Sequence, residues 1–375
     1  MSTVTQAYVK KQTVGRKRKL ALLLPGHNEE LIIATTIRSA MSAGQRPADI
    51  YVVDDASDDK TRKLAIELLG RDHVLTVHRS GKALAVKKAI KKFHIEQRYE
   101  WLHVADADSI FCPDYFRIYR GKLNSKYVVA LGFVQSLRGN WISTYRAFSY
   151  TYGQHFYRRL QALFGMISVF PGPVTSFRTD ILSKVELTGD SLTEDFDVTL
   201  QVHRKRLGKM LFIPSAVNYT QDPQSFRDFR KQSMRWYRGF FQGIRAYRIG
   251  LHRQPIDIGI GLQLLQTLVF LLQITVLVPI VLITTHRWAV VPTAICIDFL
   301  FTGAIVMLAA AVAKRWNMIG VLPYYYVIRA AEVGMYFTAF FEVIILKRFS
   351  KPIVGWDTGG NRRYRLNASA LKDVA

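Results

Sequence analysis

The first hundred residues alternate in a way that leaves little choice of fold. Four short apolar runs, at 20–24, 50–53, 74–77 and 101–105, are separated by segments of helical periodicity at 31–43, 61–69 and 82–93. Short apolar runs without polar alternation are buried strands, and helices between them are crossovers, so the pattern predicts a parallel, doubly wound α/β sheet of the Rossmann type. Pro25-Gly26 ends the first run as a turn. Ligands of such sheets bind beyond the carboxyl ends of the strands. Asp54-Asp55 ends the second run, and Asp106 and Asp108 follow the fourth.

The rest of the 375 residues reads as a second regime. Most long apolar stretches lie in 256–346, which divides the chain into a basic tail (1–19), an α/β unit (20–225), an interfacial region (226–255), a membrane region (256–346) and a second basic tail (347–375). The 52 Lys and Arg against 28 Asp and Glu give a formal charge of +24, which favours anionic partners. Beside membrane spans such an excess fits the positive-inside rule and an anionic leaflet better than nucleic acid. The tail to Arg16-Lys17-Arg18-Lys19 has no apolar core of a secretory signal, so the α/β unit is expected in the cytoplasm. Cys112 and Cys296 fall in different regimes, and no disulfide is expected.

From Trp141 to Ile167 the chain is aromatic and basic, and 226–250 repeats that character; both suit amphipathic helices lying at an interface. Segments 256–285 and 288–313 are long enough to cross roughly 30 Å of hydrocarbon. Segment 320–346 is a third candidate, weakened by Arg329, Glu332 and Glu342. Three spans from a cytoplasmic domain would put the basic end (Lys347, Arg348, Lys351, Arg362, Arg363, Arg365) outside, against the charge rule, so the parity stays open. Trp288, Trp316 and 324–326 suit aromatic belts. Gln263, Gln266 and Gln273 form a polar strip on the first span, fit either to line a sugar path or to bond a neighbouring helix.

Four motifs carry chemistry, each with a plainer alternative. Asp106 and Asp108 have the spacing of a loop that holds Mg2+ or Mn2+ against a diphosphate, where the cation acts as Lewis acid and template; a solvated turn is the alternative. Asp54 and Asp55 could contact a nucleoside or cap a helix. In Thr193-Glu194-Asp195, Asp195 is the candidate base for an acceptor hydroxyl and Glu194 a supporting group; a helix start would use the same residues. In Gln232-Ser233-Met234-Arg235-Trp236, a helix would place Gln232, Arg235 and Trp236 on one face, Arg235 for a phosphate and Trp236 for a sugar ring, or else serve as an interfacial anchor. Lys82 could reach a phosphate or start a helix in solvent.

The order of these motifs ahead of apolar spans resembles the processive family-two glycosyltransferases, which make cellulose, chitin, hyaluronan and poly-N-acetylglucosamine. The resemblance covers about residues 20–346, and its most specific part is Thr-Glu-Asp followed by Gln-x-x-Arg-Trp. It implies a GT-A fold, a UDP-sugar donor, inversion at the anomeric carbon and extrusion of a polymer through the membrane. By motif, Asp55 and Asp54 would hold the uridine, and Asp106 and Asp108 the diphosphate and metal. Asp195 would be the base, and Gln232, Arg235 and Trp236 would hold the diphosphate and acceptor end. Phe170-Pro171-Gly172-Pro173 resembles the loop where the acceptor sugar sits, which makes Phe170 and Gly172 acceptor residues. Many such synthases carry spans before the catalytic domain and this sequence has none there, which points to a partner subunit or homo-oligomer that supplies helices. The expected activity is elongation of a β-linked polysaccharide from UDP-N-acetylglucosamine or UDP-glucose. A single addition to a lipid phosphate is the second reading, and a non-catalytic membrane scaffold the third.

Overall fold

A computed structural model describes residues 18–272, 276–285, 289–349, 364 and 366. Its strands are β1 (Arg18–Gly26), β2 (Ile50–Asp55), β3 (Val74–Val77), β4 (Tyr99–Val104), β5 (Ile110–Phe111), β6 (Tyr127–Ser136), β7 (Thr175–Arg178) and β8 (Lys209–Thr220). They form one sheet in the order β3-β2-β1-β4-β7-β6-β8-β5.

The first half of the sheet follows from side-chain alternation. Leu20, Leu22 and Leu24 of β1 face one way and pack with Ile33, Ile37, Val52 and Trp101. Ala21 and Leu23 face the other way, with Val53, Ala85, Val86, Leu102 and Val104. A strand covered on both faces has no polar side to show, which is why its sequence is continuously apolar. Helices Ile33–Ser42, Thr61–Leu69 and Lys82–Lys92 supply the covering and carry the chain between parallel strands.

The second half corrects the expectation of a parallel, doubly wound sheet. β7 runs antiparallel to β4 and to β6, β8 runs parallel to β6, and β5 closes the edge antiparallel to β8. The sheet is therefore mixed. Helix Tyr115–Lys122 still leads into β6, but past β6 the connection is no longer a single helix. β7 is reached only after an excursion through helix Trp141–Tyr152, a π-helical turn Gly153–Arg158 and helix Arg159–Leu163.

The carboxyl-terminal third docks on that excursion. Helix Phe226–Ala246 is capped by Ser225, whose Oγ accepts from Asp228 N at 3.2 Å. It packs against helix Tyr325–Phe340 through Met234, Phe241, Met335 and Ala339. Two of the charges that weaken 320–346 as a span, Glu332 and Glu342, are bonded to other helices. Arg238 donates to both Glu342 oxygens at 2.7 and 3.1 Å, and the Tyr145 hydroxyl donates to Glu332 at 2.5 Å. Among the described residues one helix, Val291–Ala313, is long and apolar enough to cross a membrane, and Pro255–Val269 is a shorter apolar helix. Gln263 is half-buried and Gln266 exposed. Gln273, Trp288 and the two basic tails beyond residues 18 and 349 lie outside the described residues, Tyr364 and Leu366 excepted.

Candidate active site

The site is built where strand ends meet the starts of helices. Asp55 closes β2, and both its oxygens are engaged by the turn that follows β3. Oδ1 accepts from Ser80 N at 2.8 Å and Ser80 Oγ at 3.3 Å, and Oδ2 accepts from Gly81 N at 2.9 Å. Gly81 has φ +82, a left-handed geometry that suits glycine, and it starts the helix that carries Lys82. Asp55 thus sets the position of Lys82. Its neighbour Asp54 accepts from Ser57 N at 3.2 Å through Oδ1, while its buried Oδ2 has no hydrogen-bond partner among the described residues.

Asp106 and Asp108 follow β4 in a turn closed by Ser109 N and Asp106 O at 3.0 Å. Lys82 Nζ lies 2.5 Å from Asp106 Oδ1 and 3.2 Å from Glu194 Oε1. Burial lowers the pKa of this ammonium, but attraction from Asp106, Glu194 and Asp195 outweighs it and the net shift is upward. Asp108 is buried, and Thr220 Oγ1 donates to it at 3.4 Å.

Glu194 and Asp195 open helix Glu194–Arg204. Asp195 accepts from its neighbour Phe196 N at 2.8 Å. Its carboxyl is pushed up to about 6 by burial and by Glu194, against the pull of Lys82 and Arg235. Arg235 also donates to Leu192 O at 3.0 Å, and Gln242 bonds Leu192 N at 3.0 Å and Asp190 O at 2.9 Å, so helix Phe226–Ala246 holds the loop that leads into Asp195.

That approach depends on two glycines. A Cβ at Gly239 would overlap the Thr193 side chain, and one at Gly243 would overlap Phe196. Gly239→Ala should therefore push the 193–195 turn away from Arg235. The expected result is a 10- to 100-fold loss of turnover, corresponding to roughly 1.4–2.7 kcal/mol of transition-state stabilisation, with an unchanged circular dichroism spectrum. Wild-type kinetics in Gly239→Ala would show that the close contact is irrelevant.

The Gln-x-x-Arg-Trp residues divide their work. Arg235 faces Asp195, whereas Gln232 and Trp236 meet Arg146. The Arg146 guanidinium lies 4.6 Å from the ring centres of both Phe229 and Trp236, and bonds Ser233 Oγ at 3.1 Å and Gln232 Oε1 at 3.4 Å. The two residues expected at the acceptor, Phe170 and Gly172, divide too. Phe170 is buried against Phe177, whereas a Cβ at Gly172 would lie 2.8 Å from Lys82 Nζ and 3.4 Å from Asp106 Oδ1. A cavity of about 60 Å³ lies beneath, bounded by Lys82, Val86, Val104, Phe177, Asp195 and Val198.

Sequence reasoning missed Arg146 and Asp222. Asp222 follows β8, is buried, and is pushed up to about 7 by burial, with Asp108 adding to the rise and Ser136, Arg146 and Arg315 opposing it. The strand-end argument that found Asp54 and Asp106 applies equally to Gln221-Asp222-Pro223, once β8 is recognised as a strand. Arg146 had no comparable local signal.

This geometry stands beside several known proteins. Residues 101–326 match the model of the Glycosyl transferase family group 2. The poly-beta-1,6-N-acetyl-D-glucosamine synthase of Staphylococcus epidermidis is 24% identical over 249 residues, 62% of this chain and 59% of the relative. The probable glycosyltransferase YdaM of Bacillus subtilis is 26% identical over 237 residues, 59% of this chain and 55% of the relative. The chain thus spans less than three-fifths of the length of these relatives. Among solved structures, the mannosyltransferase PcManGT of Pyrobaculum calidifontis, in complex with GDP-Man and Mn2+, superposes with a TM-score of 0.53 at 17% identity over 89% of both chains, a likeness of fold. The family match spans well over half the chain and contains Asp106, Asp108, Glu194, Asp195 and Arg235, so the protein belongs to glycosyl transferase family group 2 and is a glycosyltransferase.

Proposed function

We propose that this enzyme elongates a β-linked polysaccharide from a UDP-sugar, with UDP-N-acetylglucosamine the first candidate donor and UDP-glucose the second. The observation that carries the reading is the convergence of Lys82, Asp106, Glu194, Asp195 and Arg235, from four separate stretches of chain, on one strand-end cleft. The relatives' names as poly-beta-1,6-N-acetyl-D-glucosamine synthases support the donor and the polymer.

In this reading Asp195 accepts the proton of an acceptor hydroxyl as its oxygen bonds to the anomeric carbon. The bond from that carbon to the diphosphate oxygen breaks, and UDP departs with the electron pair. Attack opposite the leaving group inverts the configuration. Lys82 and Arg235 supply positive charge where negative charge accumulates. Asp54, whose buried Oδ2 has no hydrogen-bond partner among the described residues, is assigned to the nucleoside, and Asp55 acts through Lys82.

Asp106 and Asp108 fit Mg2+ or Mn2+, hard cations that take carboxylate oxygens and complete their shell with waters and phosphate oxygens. When bound, the cation would neutralise the departing diphosphate. Among the described residues no three His, Cys, Asp or Glu side chains form a cluster that could hold a metal ion by themselves. The apolar helix Val291–Ala313 and the exposed Leu160, Leu163 and Phe164 support placement at a membrane, with the growing chain led away from the site by the carboxyl-terminal helices or by helices of a partner subunit.

The test is nucleotide release by purified membranes given UDP-N-acetylglucosamine, UDP-glucose or GDP-mannose with Mn2+ or Mg2+, followed by sizing of the product. One UDP-sugar should exceed the other donors at least tenfold, EDTA should abolish release, and the product should contain many sugars. Release with no UDP-sugar would overturn the reading, and a product of one sugar per acceptor would overturn its polymerising part.

A further inference from the structure

The loop that bears Gly172 against Lys82 lies outside the sheet between Ile167 and Phe170, so its backbone polar groups need partners other than a strand. Three side chains supply them. His203 Nε2 bonds Ile167 O at 2.8 Å, Arg158 Nη1 donates to Val169 O at 2.8 Å, and Thr199 Oγ1 accepts from Phe170 N at 2.8 Å. Thr199 and His203 stand on the helix that begins with Glu194 and Asp195, and Thr199 Oγ1 also donates to Asp195 O at 2.7 Å. The Thr199 hydroxyl therefore joins the backbone of Asp195 directly to the backbone of the loop.

Arg158 comes from the opposite side. It ends the π-helical turn Gly153–Arg158, a rare geometry that re-aims a side chain within a helix. Gln154 fixes that turn to β6, accepting from Val134 N at 3.0 Å and donating to Val134 O at 2.7 Å. Arg158 is only 9% exposed, and its Nε has no hydrogen-bond partner among the described residues. Burial lowers its pKa to about 10, and the charge that counters this is Asp195. A long cation kept in such a place needs a reason beyond one carbonyl bond, because its burial is costly.

We propose that Arg158 and Thr199 are positioning residues for the acceptor: together they clamp the 167–173 loop at a fixed distance from Asp195, so that an incoming sugar hydroxyl, rather than water, meets the base. This rests on the reading of Asp195 as base and of the Gly172 loop as the acceptor seat. Neither residue is assigned a contact with the donor, so their loss should separate two reactions that share one donor: transfer to sugar and hydrolysis of the nucleotide-sugar by water.

The experiment uses the full chain in membranes with radiolabelled UDP-N-acetylglucosamine and Mn2+, and compares UDP released with label incorporated into polymer. In wild type the two should nearly match. In Arg158→Met and in Thr199→Val the ratio of release to incorporation should rise at least fivefold, while Thr199→Ser, which keeps the hydroxyl, should stay within twofold of wild type. A merely structural role would lower both quantities together and leave the ratio unmoved, and that outcome in both variants overturns the proposal. Should Arg158→Met fail to accumulate, the near-isosteric Thr199→Val decides alone. Wild-type membranes that release no UDP from any UDP-sugar would instead sink the proposed function.

Discussion

Asp195→Asn should remove nearly all sugar transfer while nucleotide-sugar binding stays within about threefold, because general-base catalysis contributes on the order of 10²–10⁴-fold and the amide keeps the size of the carboxylate. The wild-type rate should carry the same signature in its pH dependence. Asp195 titrates at about 6 in the folded protein, raised by burial and Glu194. It must be ionised to accept a proton, so the rate should fall below that pH, about tenfold per unit. The stability consequence has the opposite sense. A carboxyl group raised by folding binds its proton more tightly in the native state. Its favourable contribution is present below the unfolded value near 4 and is lost as pH rises through about 6. Asparagine never ionises. At pH 8 the inactive variant should therefore melt higher than wild type, by an increment on the order of 2–3 kcal/mol, and the gap should close towards pH 4. Nucleotide-sugar turnover and thermal melts across pH 4–8 test both halves. An active Asp195→Asn, or one that melts lower at pH 8, would remove Asp195 as a base with a raised pKa.

The parts legible in the sequence are those fixed by local pattern. The run 74–77 and the helical segment 61–69 coincide with β3 and with helix Thr61–Leu69, since each is bounded by turn residues on both sides. The strand-end rule singles out Asp54, Asp55, Asp106 and Asp108 from the sequence alone. β7 was not legible: Thr175-Ser176-Phe177-Arg178 has no apolar run, and it is a strand because β4 and β6 flank it. β6 is an apolar run, but its neighbours in the sheet are β7 and β8, which no local pattern orders.

The site shows the same division. Asp195 and Arg235 are visible as motif members, but what makes them converge is the pair of close approaches at Gly239 and Gly243 and the bonds from Gln242, all of them contacts between distant segments. Arg146 looks like one more basic residue of an interfacial helix until Phe229 and Trp236 are seen to enclose it. The interfacial reading of 141–167 and 226–250 recognised real amphipathic character, yet much of it faces protein: Phe229, Met234 and Phe241 are buried against Tyr145, Phe148 and the 325–345 segment. Composition reports that a helix has an apolar face, and only packing reports whether lipid or protein covers it.

Lys82 is where the two kinds of information meet, and its removal is the second large effect expected. The residue is 14% exposed and holds Asp106 and Glu194, which are 30% and 27% exposed. In Lys82→Met these carboxylates, together with Asp195, face one another without their shared cation. Breaking a fully buried pair costs about 3–5 kcal/mol; with two partly solvated partners the loss should be nearer 2 kcal/mol. The raised pKa fixes the pH window. Stability from an ammonium raised by folding is fully present below its unfolded value near 10, so the loss should hold from pH 8 to 9 and shrink towards pH 6, where Asp195 takes up its proton and one of the facing charges goes. Adding Glu194→Gln should restore part of it by deleting one of the repelling charges. Arginine should not substitute, because Gly172 leaves no room beside Nζ for a planar guanidinium. Turnover should drop by about 10²-fold or more, as for loss of one charge-stabilising donor. Mn2+ affinity should move the other way and tighten several-fold, since the variant removes a positive charge 2.5 Å from Asp106. Denaturation and Mn2+ titration of Lys82→Met without nucleotide measure the two responses. Weaker Mn2+ binding in that variant would mean that Lys82 organises Asp106 for the cation and does not compete with it, and the electrostatic assignment of this cluster would then fail.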